Sequence, residues 1–292
     1  MTSHMKCLAF DYKRYHKSFR LFLELSSEHQ AMSKFFHESL PDILTRIGEG
    51  KATFDVISVG TGTGEVDLEI LSQLRKVLPD GKVDCDMVEP SEPMLEKCKE
   101  LVSRTPNLDN VNFTWNQMTA SEFEKHWRGR QSEKKLDFIH MIQMLYYVTD
   151  TAATISFFRS LLNENGKLLI ILVAGESSWG KLWNTYKKEL CCTEMTQCVT
   201  TADIKYYLTA EGISFEAFVL PSTMDITDCF IPGDEKGELL LDFLTEVLDF
   251  SHTAPPELKA SVMSFLRSPD CSSQVNGRII FNNNLEALVL DP

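Results

Sequence analysis

One stretch, Phe54 to Glu65 (FDVISVGTGTGE), limits the possible folds of this chain more than any other. Val56, Ile57 and Val59 are β-branched and apolar, as a strand buried on both faces requires. The predicted strand ends at once in Gly60-Thr61-Gly62-Thr63-Gly64. Beyond it Val66, Leu68, Ile70, Leu71 and Leu74 recur at helical spacing through Leu78, and Pro79-Asp80-Gly81 closes the helix. Strand, glycine-rich turn and helix form the first half of a nucleotide-binding βαβ unit. The glycines let the backbone turn sharply and approach a ligand closely.

Details of the turn narrow the ligand. Gly60-x-Gly62-x-Gly64 is not the GxGxxG spacing of dinucleotide enzymes, and no GK[ST] follows as in a P-loop. Glu65 occupies the helix start where a pyrophosphate would otherwise bind, which suits a cationic or hydroxyl-bearing ligand better. A second strand, Lys82 to Val88, ends in Glu89, twenty-five residues after Gly64. An acid at that strand end accepts hydrogen bonds from both hydroxyls of a ribose. Taken alone, the glycines fit an ordinary tight turn. With Glu89 added, the pattern resembles the S-adenosylmethionine site of class I methyltransferases.

A chain of 292 residues accommodates one large α/β domain with an elaboration. Its 43% hydrophobic and 24% charged residues are ordinary for a soluble globular protein. No apolar run is long enough for a membrane span, and Met1 to Lys17 lacks the apolar core of a secretory signal. The eight cysteines form no CxxC pair and are expected to be reduced thiols of a cytoplasmic protein, with no metal site. Net charge is −13, from 29 basic and 42 acidic residues, and no basic cluster suited to a phosphate backbone appears. Nucleic acid is therefore an unfavoured partner, whereas a small cationic acceptor suits a negative field.

In chain order, Tyr15, Phe19 and Phe22 share one helical face, and Ser26-Ser27-Glu28 precedes a second helical pattern from Ala31 to Ile47. The rings either pack a core or face a substrate, and Glu28 is either a solvated acid near a helix start or a ligand. After Glu89-Pro90-Ser91, a helix spans Glu92 to Arg104 and carries Met94. Strand three is Val111–Trp115, and Met118-Thr119-Ala120 lies where such folds meet an adenine ring. A polar helix follows from Ser121 to about Lys135. Strand four, Leu136 to Ile142, then delivers Gln143-Met144-Leu145-Tyr146-Tyr147 to the sheet's carboxyl edge. A helix from Thr151 to Asn163 leads to strand five, Lys167 to Ala174. Crossovers of this length predict a parallel sheet with ligands at its carboxyl edge.

The segments Val88-Glu89-Pro90-Ser91, Asp137–Val148, Thr223-Met224-Asp225-Ile226, Asp242–Glu246, Thr253-Ala254-Pro255-Pro256 and Phe281-Asn282-Asn283 resemble the histamine N-methyltransferase family. The likeness runs nearly end to end. It implies a class I methyltransferase (Rossmann-like) α/β fold, with a mostly parallel sheet flanked by helices and a small substrate-binding lobe. The chain would be a single domain over 1–292, with the N-terminal helices (about 10–47) and about 176–270 contributing that lobe. The resemblance further implies a monomeric cytoplasmic enzyme that takes S-adenosyl-L-methionine and a small imidazole or amine substrate. Glu28, Gln143 and Asn283 match the family's substrate-holding glutamate, glutamine and asparagine.

These residues suit the chemistry. A free imidazole titrates near about 6.5 and offers an unprotonated nitrogen at neutrality, so alignment matters more than a strong base. Gln143 and Asn283 can bond either ring nitrogen, and Glu28 can hold an ammonium or a ring N–H. Tyr15, Phe19, Tyr146, Tyr147, Trp179, Trp183 and Phe243 (in a helix expected over Glu238 to Phe250) are expected pocket walls; the other reading is core packing. The expected cofactor contacts are Gly60, Thr61, Gly62, Gly64, Glu89, Met94, Thr119, Ala120 and Ile142. The chain departs from the family's pattern at Met94 and Ala120, where a glutamine and a serine are usual, so contacts there are apolar or through the backbone. Asn283, between runs at Arg278–Phe281 and Leu285–Leu290, also fits a simple hairpin turn. The likeness fades around Glu189 to Thr196, which leaves open a histidine dipeptide such as carnosine as acceptor. A non-catalytic cofactor-binding protein is the other alternative.

Overall fold

The computed structural model describes residues 5–130, 134–190 and 196–292. Three helices, α1 (Tyr12–Leu25), α2 (Glu28–Glu38) and α3 (Leu40–Gly48), precede β1 (Thr53–Val59). Then α4 (Glu65–Val77), β2 (Lys82–Val88), α5 (Glu92–Arg104), β3 (Val111–Asn116), α6 (Ala120–Gly129) and β4 (Leu136–Ile142) alternate. They are followed by α7 (Thr151–Ser160), β5 (Leu162–Val173), α8 (Ser178–Thr185), α9 (Lys187–Leu190), α10 (Thr201–Ala210), β6 (Phe215–Leu220) and β7 (Thr223–Asp225). The chain ends with α11 (Glu235–Thr245), α12 (Phe250–Thr253), α13 (Pro256–Arg267), β8 (Ser272–Val275), β9 (Arg278–Asn282) and β10 (Leu285–Leu290).

The chain divides into two compact units, one of Met1–Ala31, Val173–Asp203 and Val219–Glu286, the other of Met32–Leu172, Ile204–Phe218 and Ala287–Pro292. The second unit holds most of a seven-stranded sheet in the order β3-β2-β1-β4-β5-β10-β6. β1 pairs parallel with β2 and with β4, β2 with β3, and β4 with β5. Val59 stands opposite both Val88 and Met141, and Val88 opposite Asn116, so four strands end level. β4 is buried from Leu136 through Met141, as a central strand between two helical layers must be.

Several boundaries differ from expectation for identifiable reasons. The helix expected over Ala31–Ile47 is two helices, because Pro41 cannot continue one and instead sits in the first turn of α3. β5 begins five residues early, at Leu162, since Leu162 pairs with Leu136 across an irregularity in the β4 ladder. The helix expected over Glu238–Phe250 ends at Thr245, where Glu246 turns into the left-handed region at φ 57°. β9 and β10 are not a hairpin: β9 pairs with β7 and β8 in a three-stranded sheet, and β10 joins the larger one. Cys7, Cys85, Cys98, Cys229 and Cys271 are free and buried. Cys198, however, is disulfide-bonded, so the expectation of eight reduced thiols fails there; which Cβ atoms approach is a tertiary matter that spacing does not reveal. Cys191 and Cys192 lie outside the described residues. No helix among the described residues is long and apolar enough to cross a membrane.

In the first unit, Asp242 of α11 is fully buried and organises the chain that follows it. Its carboxylate accepts hydrogen bonds from the backbone N–H of Asp249 (2.9 Å) and Phe250 (2.8 Å) and from Arg14 Nε of α1 (2.5 Å). Burial pushes the acid up, and Arg14 with the two N–H groups opposes that. Replacing Asp242 by Ala leaves Arg14 and two backbone donors without their acceptor. Asp242→Ala is expected to lower unfolding stability by about 3–5 kcal/mol in urea titration. A loss below about 1 kcal/mol would show that this ion pair contributes little.

Candidate active site

The level carboxyl ends of β1 to β4 place the glycine turn beside the first residues after β2. Gly60 N–H and Thr61 N–H both donate to Val88 O, at 2.9 and 3.2 Å, tying the turn to the end of β2. Gly60 has φ +77°, and a Cβ there would lie 2.5 Å from Met144 Cβ. Gly64 has φ +88°, and its Cβ would meet Cys98 Sγ at 2.4 Å. Both positions need glycine for conformation and for space. At Gly62 nothing lies within 4 Å of an added Cβ, so this part of the turn faces open space. Glu89, 7% exposed, clamps the edge: Oε2 accepts from Gly62 N–H and Oε1 from Ser91 N–H, each at 2.9 Å. Each oxygen keeps a lone pair for a further donor, as a ribose diol would supply.

This donor set does not suit a phosphate. The first turn of α4 holds Glu65 and Asp67, and the Thr63 hydroxyl donates to the Glu65 carboxylate. A sulfonium cation and free hydroxyls fit where a pyrophosphate would be repelled. Among the described residues no group of three His, Cys, Asp or Glu could hold a metal ion.

A buried polar column, missed by the sequence reading, lies beneath the turn. Thr61 Oγ1 donates to Ser58 Oγ at 2.9 Å, Ser58 bonds Asp67, and Asp67 Oδ1 lies 3.5 Å from His140 Nε2. Burial pushes Asp67 up to about 7 and takes His140 down to about 3. His140 is therefore uncharged at neutrality, and its contact with Asp67 is no ion pair. One signal was available in the sequence: Asp67 shares the apolar face of Ile70, Leu71 and Leu74, where an acid is out of place.

The other predicted cofactor residues fall at the same edge. Thr119 caps α6, reciprocally bonded with Glu122, and Ala120 is that helix's first residue. Met94 lies in the first turn of α5, and Ile142 is the last residue of β4. Next comes Gln143, with a left-handed φ of 53° that is strained for a non-glycine residue. Its N–H still extends the ladder to Ile171 O at 2.9 Å, and its Oε1 accepts from Tyr146 OH at 2.6 Å. Tyr146 and Tyr147 stand edge to face, with Tyr147 56% exposed.

The remaining predicted site residues belong to the first unit. Glu28 opens α2 with 5% exposure, and Asn283, in the link between β9 and β10, is fully buried. Both reach the same oxygen: Ser26 Oγ accepts from Glu28 N–H (3.1 Å) and from Asn283 Nδ2 (2.8 Å). Tyr15 and Phe19 stack at 6.2 Å, and Phe243 lies 6.3 and 5.9 Å from them. Trp179 and Trp183 are 5.2 Å apart, and both indole N–H groups donate to Leu244 O at 3.1 Å. Phe22, not singled out as a site residue, joins the cluster at 4.7 Å from Phe243 and 5.4 Å from Trp179.

Residues 29–212 match the family model of a methyltransferase domain, and the chain belongs to the class I methyltransferases. The fold alone is shared with the YcgJ protein from Bacillus subtilis, at 12% identity and a TM-score of 0.53 over 87% of this chain and 98% of that one. Closer relatives fix the family. The histamine N-methyltransferase of Danio rerio is 61% identical over 292 residues, covering all of both chains. That of Mus musculus is 48% identical across all of this chain and 99% of its own, and that of Bos taurus 46% across all of both. The chain belongs to the histamine N-methyltransferase family.

Two outcomes test this site. Glu89→Ala removes the acceptor of two N–H groups in the turn region, and calorimetry should show affinity for S-adenosylmethionine reduced at least about tenfold; unchanged affinity would remove Glu89 from the site. Asp67 tests the buried column through pH. Its folded value, about 7, exceeds the ordinary carboxylate value of about 3.9. The folded state thus holds the proton over that window, and the destabilisation from charging Asp67 is absent below it, grows through it and is complete above about pH 7. Asp67→Asn should therefore raise the melting temperature more at pH 8 than at pH 5. An equal change at both pH values would show that Asp67 does not titrate in this window.

Proposed function

We propose that this chain transfers the methyl group of S-adenosylmethionine to a ring nitrogen of histamine. The observation that carries the reading is end-to-end identity, 61% over 292 residues, with a relative of that name. The open side of Gly62 and the two partly used oxygens of Glu89 support the donor. S-adenosylmethionine, held by the glycine turn and Glu89, would supply a sulfonium methyl to the ring lone pair, the C–S pair staying on sulfur and the other ring nitrogen giving its proton to solvent.

The protein's own work is alignment and exclusion of water. Glu28 is the charge partner, holding the ammonium or the ring N–H of the acceptor. Gln143 is pre-oriented, because the Tyr146 phenol holds its Oε1. Asn283 supplies a second amide, bonded to the same Ser26 hydroxyl as the start of the Glu28 helix. Tyr15, Phe19, Trp179, Trp183, Phe243, Tyr146 and Tyr147 wall the acceptor, each face-on cation contact contributing about 0.5–2 kcal/mol. The N-terminal helices and residues 176–270 form the acceptor lobe of a single methyltransferase domain, and the enzyme works as a cytoplasmic monomer.

A labelled-donor assay comparing histamine with carnosine tests the substrate. Histamine should show the higher kcat/KM by at least about a hundredfold, the order of a misplaced charge; preference for the dipeptide would sink the reading. Glu28→Gln should raise KM or lower kcat for histamine about tenfold or more while leaving donor affinity by calorimetry unchanged. Collapse of donor binding instead would move Glu28 out of the acceptor site.

A further inference from the structure

Asp67 lies on the buried face of α4 with 3% exposure, and two hydroxyls join it to the turn after β1. Thr61 Oγ1 donates to Ser58 Oγ at 2.9 Å, and Ser58 in turn donates to the Asp67 carboxyl. Both hydrogens point toward the acid, so each hydroxyl dipole turns its negative end toward the glycine turn. The groups that face Asp67 supply no cation. They are Ser58 of β1, Cys85 of β2, Cys98 of α5 and His140 of β4, with Glu65 and Glu89 at the loop edges. Burial keeps His140 uncharged and both thiols protonated. Asp67 Oδ1 makes no hydrogen bond, and the one ion-pair contact of Asp67 among the described residues is that uncharged imidazole, at 3.5 Å. A buried carboxylate requires a positive partner. None of the protein's own groups at this place is one.

We propose that Asp67 is a positioning residue for the methyl donor, a buried charge partner that acts through Ser58 and Thr61 and makes the glycine turn hold the cationic sulfonium more tightly than the neutral thioether left after transfer. This rests on the reading of that turn as the donor site. Donor and product differ by one methyl group and one positive charge, and their nucleoside and amino-acid parts are the same. A cation at the turn favours the Asp67 carboxylate over the acid, and the carboxylate favours the cation in return. The folded acid titrates near about 7, so in that window donor binding releases the Asp67 proton and donor affinity rises with pH. The neutral thioether has no such coupling. When the methyl leaves, the C–S pair stays on sulfur, the positive charge is gone, and the product is held less tightly.

The test is calorimetry with S-adenosylmethionine and with S-adenosylhomocysteine, its thioether product, at pH 5 and pH 8. One unit charge acting over about 10 Å at an effective dielectric of about 20 corresponds to roughly tenfold in affinity. The product-to-donor Kd ratio of wild type should therefore rise about tenfold from the lower pH to the higher. Titration of the parts common to both ligands cancels in that ratio. Asp67→Asn keeps an acceptor for Ser58 but cannot ionise, and its ratio should be flat. A wild-type ratio equal at both pH values, or a rise retained in Asp67→Asn, overturns the proposal; with both ligands still bound, the donor-site reading stands. Should Asp67→Asn not fold, wild type decides the matter at pH 7 in two buffers of different ionisation heat. Donor binding should release more protons than product binding, and equal release overturns the proposal. If neither ligand binds, the donor-site reading fails and the proposal with it.

Discussion

The Glu89 carboxylate is the contact on which the carboxyl edge of the sheet depends. Gly62 N–H and Ser91 N–H converge on its two oxygens, so one side chain joins the turn after β1 to the start of α5. That convergence requires β1 and β2 to end level, and the parallel register of Val59 with Val88 ensures it. It also requires the turn to pass close to its neighbours, which the missing side chains of Gly60 and Gly64 allow beside Met144 and Cys98. Each Glu89 oxygen takes one backbone donor, so one side chain fixes both segments.

The first unit is built on a different principle, polar groups buried in an aromatic surrounding. Tyr15, Phe19, Phe22, Phe243, Trp179 and Trp183 pack ring on ring, and Leu244 O accepts from both indoles. Their indole donors are satisfied by backbone, so the rings present mainly faces and edges. Into this unit the sequence places a buried acid, Glu28, and a buried amide, Asn283, joined through Ser26. Buried polar groups of this kind are held by hydrogen bonds, and the serine bonds at both ends of the Asn283 amide orient it.

Much of the glycine-turn edge of the sheet was legible from local pattern. The β1 turn and Glu89 at the end of β2 follow from short-range chemistry, glycine conformation and strand alternation, whereas the cap at Thr119 starts α6 one residue before the expected Ser121. Positions that depend on distant chain were harder to read. Asn283 fits a hairpin by spacing, yet β9 and β10 belong to different sheets, and no local signal separates those outcomes. The Asp67 column carries no motif of its own: an acid is ordinary in a helix start, yet this one lies on the buried face. Pro41 splits α2 from α3 although apolar periodicity runs straight through it, a case where missing backbone hydrogen bonding outweighs pattern.

By itself, the sequence determined the alternation of strands and helices, and the glycine turn that only a close-approaching backbone needs. These are properties of neighbouring residues, and periodicity and turn chemistry encode them directly. Only the tertiary structure decided that Ser26 Oγ is shared by Glu28 and Asn283, that Ser222 holds the far end of that amide, and that burial carries Asp67 to about 7 and His140 to about 3. Each of those depends on atoms brought together from more than sixty positions apart, or on the removal of water around them. Neither condition is written in any single stretch of chain.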